Sequence, residues 1–158
     1  MGRSTSVLIR QATPADLPSI RALERGVEPA AHWSEQQYES LFAPEAPRRL
    51  VFVAIAEAEV GICGFVIAAC ASEDWEIENL VVSPHRRRMG VATGLVGELL
   101  RAARQAAAVS VLLEVRESNT AARQLYQQLG FTESGRRPGY YREPLEDALL
   151  LKISISVS

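Results

Sequence analysis

Between residues 50 and 82 three apolar, β-rich runs stand almost end to end, and the residues at their junctions decide what they can be. The first two, 50–56 and 60–71, together reach the length of a membrane span. Glu57 and Glu59 divide them, however, and Gly61 and Gly64 interrupt the second. Carboxylates inside a bilayer are costly, so two strands joined at Glu57-Ala58-Glu59 and buried on both faces fit better than a membrane segment. A third strand is expected at 75–82, closed by Pro84. The chain is therefore committed to a central sheet, and its remaining apolar segments have to cover that sheet.

Residues 7–10 form a further strand candidate. Thr13 can cap a helix with Pro14 at its first position, running to about Arg25 with Leu17, Ile20 and Leu23 or Glu24 at helical spacing until Gly26 stops it. Ser34 caps a second helix carrying Tyr38, Leu41 and Phe42, ended by Pro44 and Pro47. After the basic turn at 85–89 an Ala- and Leu-rich helix is expected over 91–107, then a strand over 109–115. Ser118 or Asn119 caps a helix to Leu129, Gly130 turns the chain, and a last hairpin can be drawn from Phe131-Thr132 and 148–155. The order βαα, ββ, βα, βα, ββ describes a mixed α/β domain, and 158 residues without repeats or low-complexity linkers match one domain over 1–158.

Charge and cysteine usage exclude several functions. Seventeen Lys and Arg against nineteen Asp and Glu give a net charge of −2, so no global basic field exists to gather nucleic acid or an anionic membrane. Cys63 and Cys70 lie in an apolar stretch and no Cys or His pair has zinc-ligand spacing, which reads as small core residues in a reducing compartment and no metal. The first residues lack a signal peptide's apolar core and cleavage site, so a cytoplasmic location is expected.

The stretch 80–93 is where anion binding can be local. A strand ends, three arginines (Arg86, Arg87 and Arg88) turn the chain, and a helix starts at Gly90-Val91-Ala92-Thr93. Free N–H groups at a helix start, with little side-chain bulk in front of them, can wrap a pyrophosphate while the arginines add charge-assisted bonds. A P-loop needs Gly-Lys-Ser/Thr and a dinucleotide fold needs G-x-G-x-x-G, whereas here the glycines fall at 90, 94 and 97. On charge alone, a solvated basic turn is the competing reading.

Arg87-Arg88-Met89-Gly90-Val91-Ala92 resembles the acetyl-CoA signature of the GCN5-related N-acetyltransferases (GNAT): glutamine or arginine, two residues, glycine, one residue, glycine or alanine. Residues 113–119, Ala121-Ala122, Leu125-Tyr126 and Leu129-Gly130-Phe131 follow in that family's order, as does the opening Ile9-Arg10, Ala12-Thr13 and Asp16. Trp33-Ser34-Glu35, Gly135-Arg136-Arg137, Tyr140-Tyr141 and Glu146-Asp147-Ala148 are similar to the branch that acetylates the N-terminal alanine of a ribosomal protein. The resemblance implies an α/β (α+β) domain with a mixed, mostly antiparallel sheet of about seven strands and about four helices. It implies acetyl-CoA as cosubstrate, bound by the backbone of Leu80, Val81 and Val82 where that strand separates from its neighbour, by Arg87, Arg88, Met89, Gly90, Val91, Ala92 and Thr93, and by Asn119.

Acetyl transfer to an amine needs a neutral amine, a polarised thioester carbonyl and a proton for the departing thiolate. A phenol stays protonated at neutral pH, and Tyr126 shares one helical face with Asn119 and Ala122, so Tyr126 is the acid candidate that the family implies; a core tyrosine with a bonded hydroxyl is the alternative. Glu114 lies among Val111, Leu112, Leu113 and Val115, a setting that tends to raise a carboxyl pKa, and the resembled branch implies it as base. Glu78, on the neighbouring strand, is the reserve base or an acceptor ligand. Strict alternation puts Glu76, Glu78 and Leu80 on one face and Trp75, Ile77 and Asn79 on the other. Trp33, Tyr140 and Tyr141 either wall a peptide groove or pack an edge, and the acids at 73–78 suit an ammonium acceptor or form a solvated turn. The leading expectation is direct attack by the N-terminal amine of a protein or peptide, a ribosomal protein among the candidates, without nucleic-acid or membrane partners. A small-molecule amine, amino acid or polyamine is the second acceptor class, and a non-catalytic acyl-CoA sensor is the reading from another class.

Overall fold

The computed structural model describes residues 7–27, 33–45, 48–57, 61–71, 73–87 and 90–155. Seven strands form one sheet: β1 (Val7–Gln11), β2 (Arg49–Ala56), β3 (Gly64–Ala71), β4 (Asp74–Val82), β5 (Ser110–Arg116), β6 (Thr132–Arg142) and β7 (Leu145–Ser154). Their order is β1-β2-β3-β4-β5-β7-β6. Every neighbouring pair is antiparallel except β4 and β5. The helices are α1 (Leu17–Arg25), α2 (Glu35–Glu39), α3 (Val91–Gln105) and α4 (Thr120–Gln128). A mixed, mostly antiparallel seven-stranded sheet with four helices is the architecture the sequence led us to expect.

The apolar runs cover the sheet on both sides. On one face, Val91, Leu95, Val96, Leu99 and Ala103 of α3 pack with Tyr126 of α4 over Val66, Trp75, Ile77, Leu113, Val115 and Leu149. These α3 residues recur every three to four positions, so one stripe of the helix meets the sheet. Gly94 lets α3 come close to β1, since a Cβ there would lie 2.6 Å from Ile9 Cδ1. On the opposite face, Ile20 of α1 and Tyr38 of α2, with Leu41, cover Val51, Val53, Phe65, Ile67 and Val81. Thr13 and Asp16 form a capping box before α1, and Arg10 holds Asp16 through two bonds of 2.8 Å.

Two local expectations are corrected, and one left between two residues is decided. The last hairpin is far longer than Phe131-Thr132 and 148–155, because β6 and β7 pair along a polar stretch that carries no apolar period. Asn119, not Ser118, caps α4: its Oδ1 accepts the Ala122 N–H at 3.1 Å, while Ser118 bonds Glu146 instead. In β4 the strict alternation fails. The register against β3 runs Ile67↔Asn79 and then Ala68↔Ile77, so Glu78 is an extra residue in a β-bulge. Trp75, Ile77, Leu80 and Val82 consequently pack on the α3 side, whereas Val81 packs on the α1 side and Asn79 bonds Glu24 of α1. Leu80 and Asn79 have exchanged faces relative to the simple period of two.

Candidate active site

The parallel pairing of β4 and β5 lasts only from Asp74↔Ser110 through Trp75↔Val111 to Glu76↔Leu112. Beyond that rung β5 stays paired with β7 up to Arg116↔Ala148, while β4, twisted by its bulge, stays with β3 up to Gly64↔Val82. The strands part, and a cleft of about 930 Å³ opens in the fork. Over 77–82 of β4 and 113–116 of β5 no rung joins the two strands among the described residues, so backbone groups at the fork are open to an extended ligand.

The fork passes through the sheet, and its two mouths differ chemically. On the α3 side it is lined by Ile77, Leu80, Leu113, Val115, Asn119, Ala122 and Tyr126. Tyr126 is 5% exposed, with its ring edge-on to Phe131 at 5.3 Å. Desolvation alone raises its phenol pKa, so the hydroxyl keeps its proton at neutral pH. Towards the α1 side lie Trp33, Gln37, Glu76, Glu78, Glu114, Tyr140 and Tyr141, all lining the same cleft. Glu76 and Glu114 reach this side because their strand neighbours Trp75, Ile77, Leu113 and Val115 fill the α3-side core.

Each of two acids has its own cation. Arg137 Nη1 donates to Glu114 Oε1 at 2.7 Å, and its guanidinium lies 4.0 Å from the Tyr140 ring centre. Arg49 donates to both Glu78 oxygens, at 2.7 and 3.3 Å, and sits 5.3 Å above the Trp33 ring. The apolar setting expected for Glu114 is thus replaced by an ion pair on the polar face of β5. The Glu76 carboxyl has its pKa raised, first by burial, then by the nearby Glu78 and Glu114 carboxylates, with Arg137 opposing. Burial also raises the Tyr141 phenol, helped by Glu114, while Arg116 stacks 4.1 Å from its ring. Glu73 and Asp74 are exposed and do not line the cleft; the Asp74 carboxylate accepts the Ser110 hydroxyl at the closed end of the fork.

At the far end of β4 the chain turns through Pro84–Arg86 into α3. Gly90 precedes α3 with φ of +82°, a left-handed conformation that glycine adopts without strain. The Gly94 N–H donates to the Gly90 carbonyl at 2.9 Å, which puts the amides of Val91, Ala92 and Thr93 in the first helical turn, where an α-helix offers them no acceptor of its own. Among the described residues apart from its chain neighbours, nothing lies within 4 Å of where a Gly90 Cβ would be. Arg87 is exposed beside it, and Arg88 and Met89 lie outside the described residues. Leu80 lines the cleft; Val81 and Val82 point into the two core layers and could contribute only backbone. An extended slot that ends at a helix start fits a pantetheine arm followed by a pyrophosphate.

The sequence profile described as the acetyltransferase (GNAT) family matches residues 17–131. This chain belongs to the GNAT family. It is therefore an acetyl-CoA-dependent N-acetyltransferase. Among GNAT relatives, the ribosomal protein bS18-alanine N-acetyltransferase of Escherichia coli K12 is 30% identical over 144 residues, covering 90% of this chain and 93% of that protein. The Salmonella typhimurium protein of the same name is 31% identical over the same length and coverage. The crystal structure of the Escherichia coli enzyme superposes with a TM-score of 0.83 at 28% identity, covering 97% of this chain and 96% of that one. Arabidopsis thaliana NAA60 in complex with a bisubstrate analogue shares the fold, with a TM-score of 0.84 at 19% identity over 97% of this chain and all of that one.

Of the residues singled out from the GNAT resemblance, Glu114, Tyr126, Glu78, Leu80, Asn119, Trp33, Tyr140 and Tyr141 all line one cleft. Sequence reasoning missed the cations Arg49 and Arg137 as partners of the acids, and it met Glu24 only as a residue at helical spacing in α1. The only trace of Glu24 was an acid at a position on the apolar stripe of α1, the signature of a buried charge that needs donors. Among the described residues no group of three or more His, Cys, Asp or Glu could hold a metal ion, and no helix is long and apolar enough to cross a membrane.

Proposed function

We propose that this acetyltransferase modifies the N-terminal amine of a protein, with a ribosomal protein's N-terminal alanine as the reference acceptor, and that residues 1–158 act as one catalytic domain. The observation that carries the reading is the through-sheet fork, apolar towards α3 and α4 and acidic and aromatic towards α1 and α2. An extended acyl-CoA suits the first mouth, with its pyrophosphate at Val91, Ala92 and Thr93 beside Arg87, Arg88 and Met89, and with Asn119 beside the arm. A peptide end suits the second, between Trp33 on one wall and Tyr140 and Tyr141 on the other. The bS18-alanine N-acetyltransferases that match most of this chain support the same acceptor class. A cytoplasmic location accords with such an acceptor and with two free cysteines.

The chemistry follows from the two mouths. Glu114 takes a proton from the acceptor ammonium, which replaces the Arg137 guanidinium as its partner. Glu78, held by Arg49, contributes negative charge to the wall. The freed amine attacks the thioester carbonyl carbon and the C–S bond breaks. Tyr126 gives its proton to the leaving sulfur and is resupplied by the second proton shed from the acetylated nitrogen. A free backbone N–H of β4 in the fork polarises the carbonyl. No covalent acyl-enzyme is involved: Cys63 is buried, and burial raises the Cys70 thiol pKa.

An acetylation assay with an alanine-started ribosomal peptide, the same peptide with a blocked N-terminus, and a panel of small amines and polyamines tests the proposal. The free peptide is expected to be acetylated on its α-nitrogen at the highest kcat/KM. Preference for a small amine would move the protein to the second acceptor class. Acetyl-CoA binding without CoA release on any acceptor would support a sensor.

A further inference from the structure

Glu24 is the most deeply buried of the charged residues that the proposed chemistry leaves unused among the described residues. Glu24, in the last turn of α1, is 3% exposed, and its Oε2 accepts from three places in the fold. The Trp33 backbone N–H donates at 3.0 Å, Asn79 Nδ2 at 3.2 Å, and the Tyr38 hydroxyl also donates to it. A carboxylate is retained out of water only where donors replace its hydration, and here the donors come from the segment before α2, from α2 itself and from β4. Two of them, Trp33 and Asn79, line the cleft.

We infer that Glu24 is a positioning residue that locks the acceptor wall to the β4 bulge and so fixes the geometry of the acceptor mouth. This rests on the reading that the acceptor enters on the α1 side. The bonds close a ring. Glu24 holds Trp33 and Asn79, Asn79 follows the bulged Glu78, Arg49 grips Glu78, and the Arg49 guanidinium lies over the Trp33 ring. Moving Trp33 outward breaks two contacts of that ring, and straightening the bulge breaks two others. Tyr38 keeps its proton for the bond, since burial and Glu24 both raise its pKa. Of the residues assigned to acetyl-CoA, Asn119 lies on the α3 side and 90–93 at the start of α3, while Leu80, Val81 and Val82 follow Asn79 along β4; none is a member of the ring.

Glu24→Leu, which fills similar volume without an acceptor, tests this beside Glu24→Gln, which keeps one acceptor oxygen. In the free enzyme, amide hydrogen exchange over 33–39 and 76–80 is expected to quicken about tenfold in Glu24→Leu and less in Glu24→Gln, with 91–105 and 120–128 unchanged. The acceptor KM is expected to rise about tenfold while the acetyl-CoA KM stays within about twofold, the split that a general loss of fold would not give. Should Glu24→Leu fail to fold, Asn79→Ala and Tyr38→Phe each remove one donor and carry the same expectation at smaller size. Uniformly faster exchange, unchanged exchange, or equal shifts in both KM values would overturn the inference. The exchange arm needs no substrate, and the kinetic arm uses whichever acceptor the wild type turns over best. A wrong acceptor class would therefore leave the role of Glu24 separately decided.

Discussion

Tyr126 and Glu114 face opposite mouths of one fork, so single substitutions separate their roles. Tyr126→Phe keeps the edge-on contact with Phe131 and removes only the hydroxyl; kcat is expected to fall about 10²-fold or more with the acetyl-CoA KM nearly unchanged. Glu114→Gln is expected to lower kcat/KM for the acceptor comparably. Unchanged turnover in Tyr126→Phe, measured by CoA release, would remove it from the acid role. A second residue gives a stability test. Arg10 hydrogen bonds, with the Thr13 N–H, hold the Asp16 pKa at about 2 against burial, below its ordinary value. A carboxyl with a depressed folded pKa contributes stability that is complete above its unfolded pKa and is lost as pH falls through the folded one. Asp16→Asn is therefore expected to cost about 1–2 kcal/mol near pH 7, and the difference should close between about pH 4 and pH 2 in denaturant titrations. These residues were legible in the sequence because their type limits what they can do in a buried place. Their partners were not: Arg137 meets Glu114 across 23 positions of sequence and Arg49 meets Glu78 across 29, and only the strand order brings them together.

At the scale of elements, α3 was the clearest expectation and β6 the least, for a physical reason. The stripe of Leu95, Val96, Leu99 and Ala103 advertises one buried face, whereas β6 buries little and is held by pairing to β7 and by ion pairs such as those of Arg136 with Glu117 and Asp147. The β4 bulge lay beyond a period-two reading, since an inserted residue is set by the packing of β3 opposite it. The turn into α3 offers an element-level test. Because φ at Gly90 is +82° and no described residue apart from its chain neighbours lies within 4 Å of where its Cβ would be, Gly90→Ala should cost only the strain of the left-handed backbone, about 1 kcal/mol. The acetyl-CoA KM should nevertheless rise severalfold with the acceptor KM unchanged, because the same strain tilts the first-turn amides. A stability loss with no change in acetyl-CoA KM would take the turn out of cofactor binding.

For the whole molecule, the sequence carried the order of the elements and the family, while the fork's depth through the sheet emerged only from tertiary pairing. β5 is bound to β7 along its full length and β4 to β3, so the two halves of the sheet are each complete and the joint between them is short. In the proposed function that short joint gives acyl donor and amine separate approaches to one point. A crystal structure with a bisubstrate analogue, CoA joined through its sulfur to the N-terminus of an alanyl peptide, tests it most directly. The sulfur is expected beside the Tyr126 hydroxyl, the pyrophosphate against the start of α3, and the peptide leaving on the α1 side between Trp33 and Tyr140. A peptide leaving on the α3 side, or a sulfur placed away from Tyr126, would contradict it.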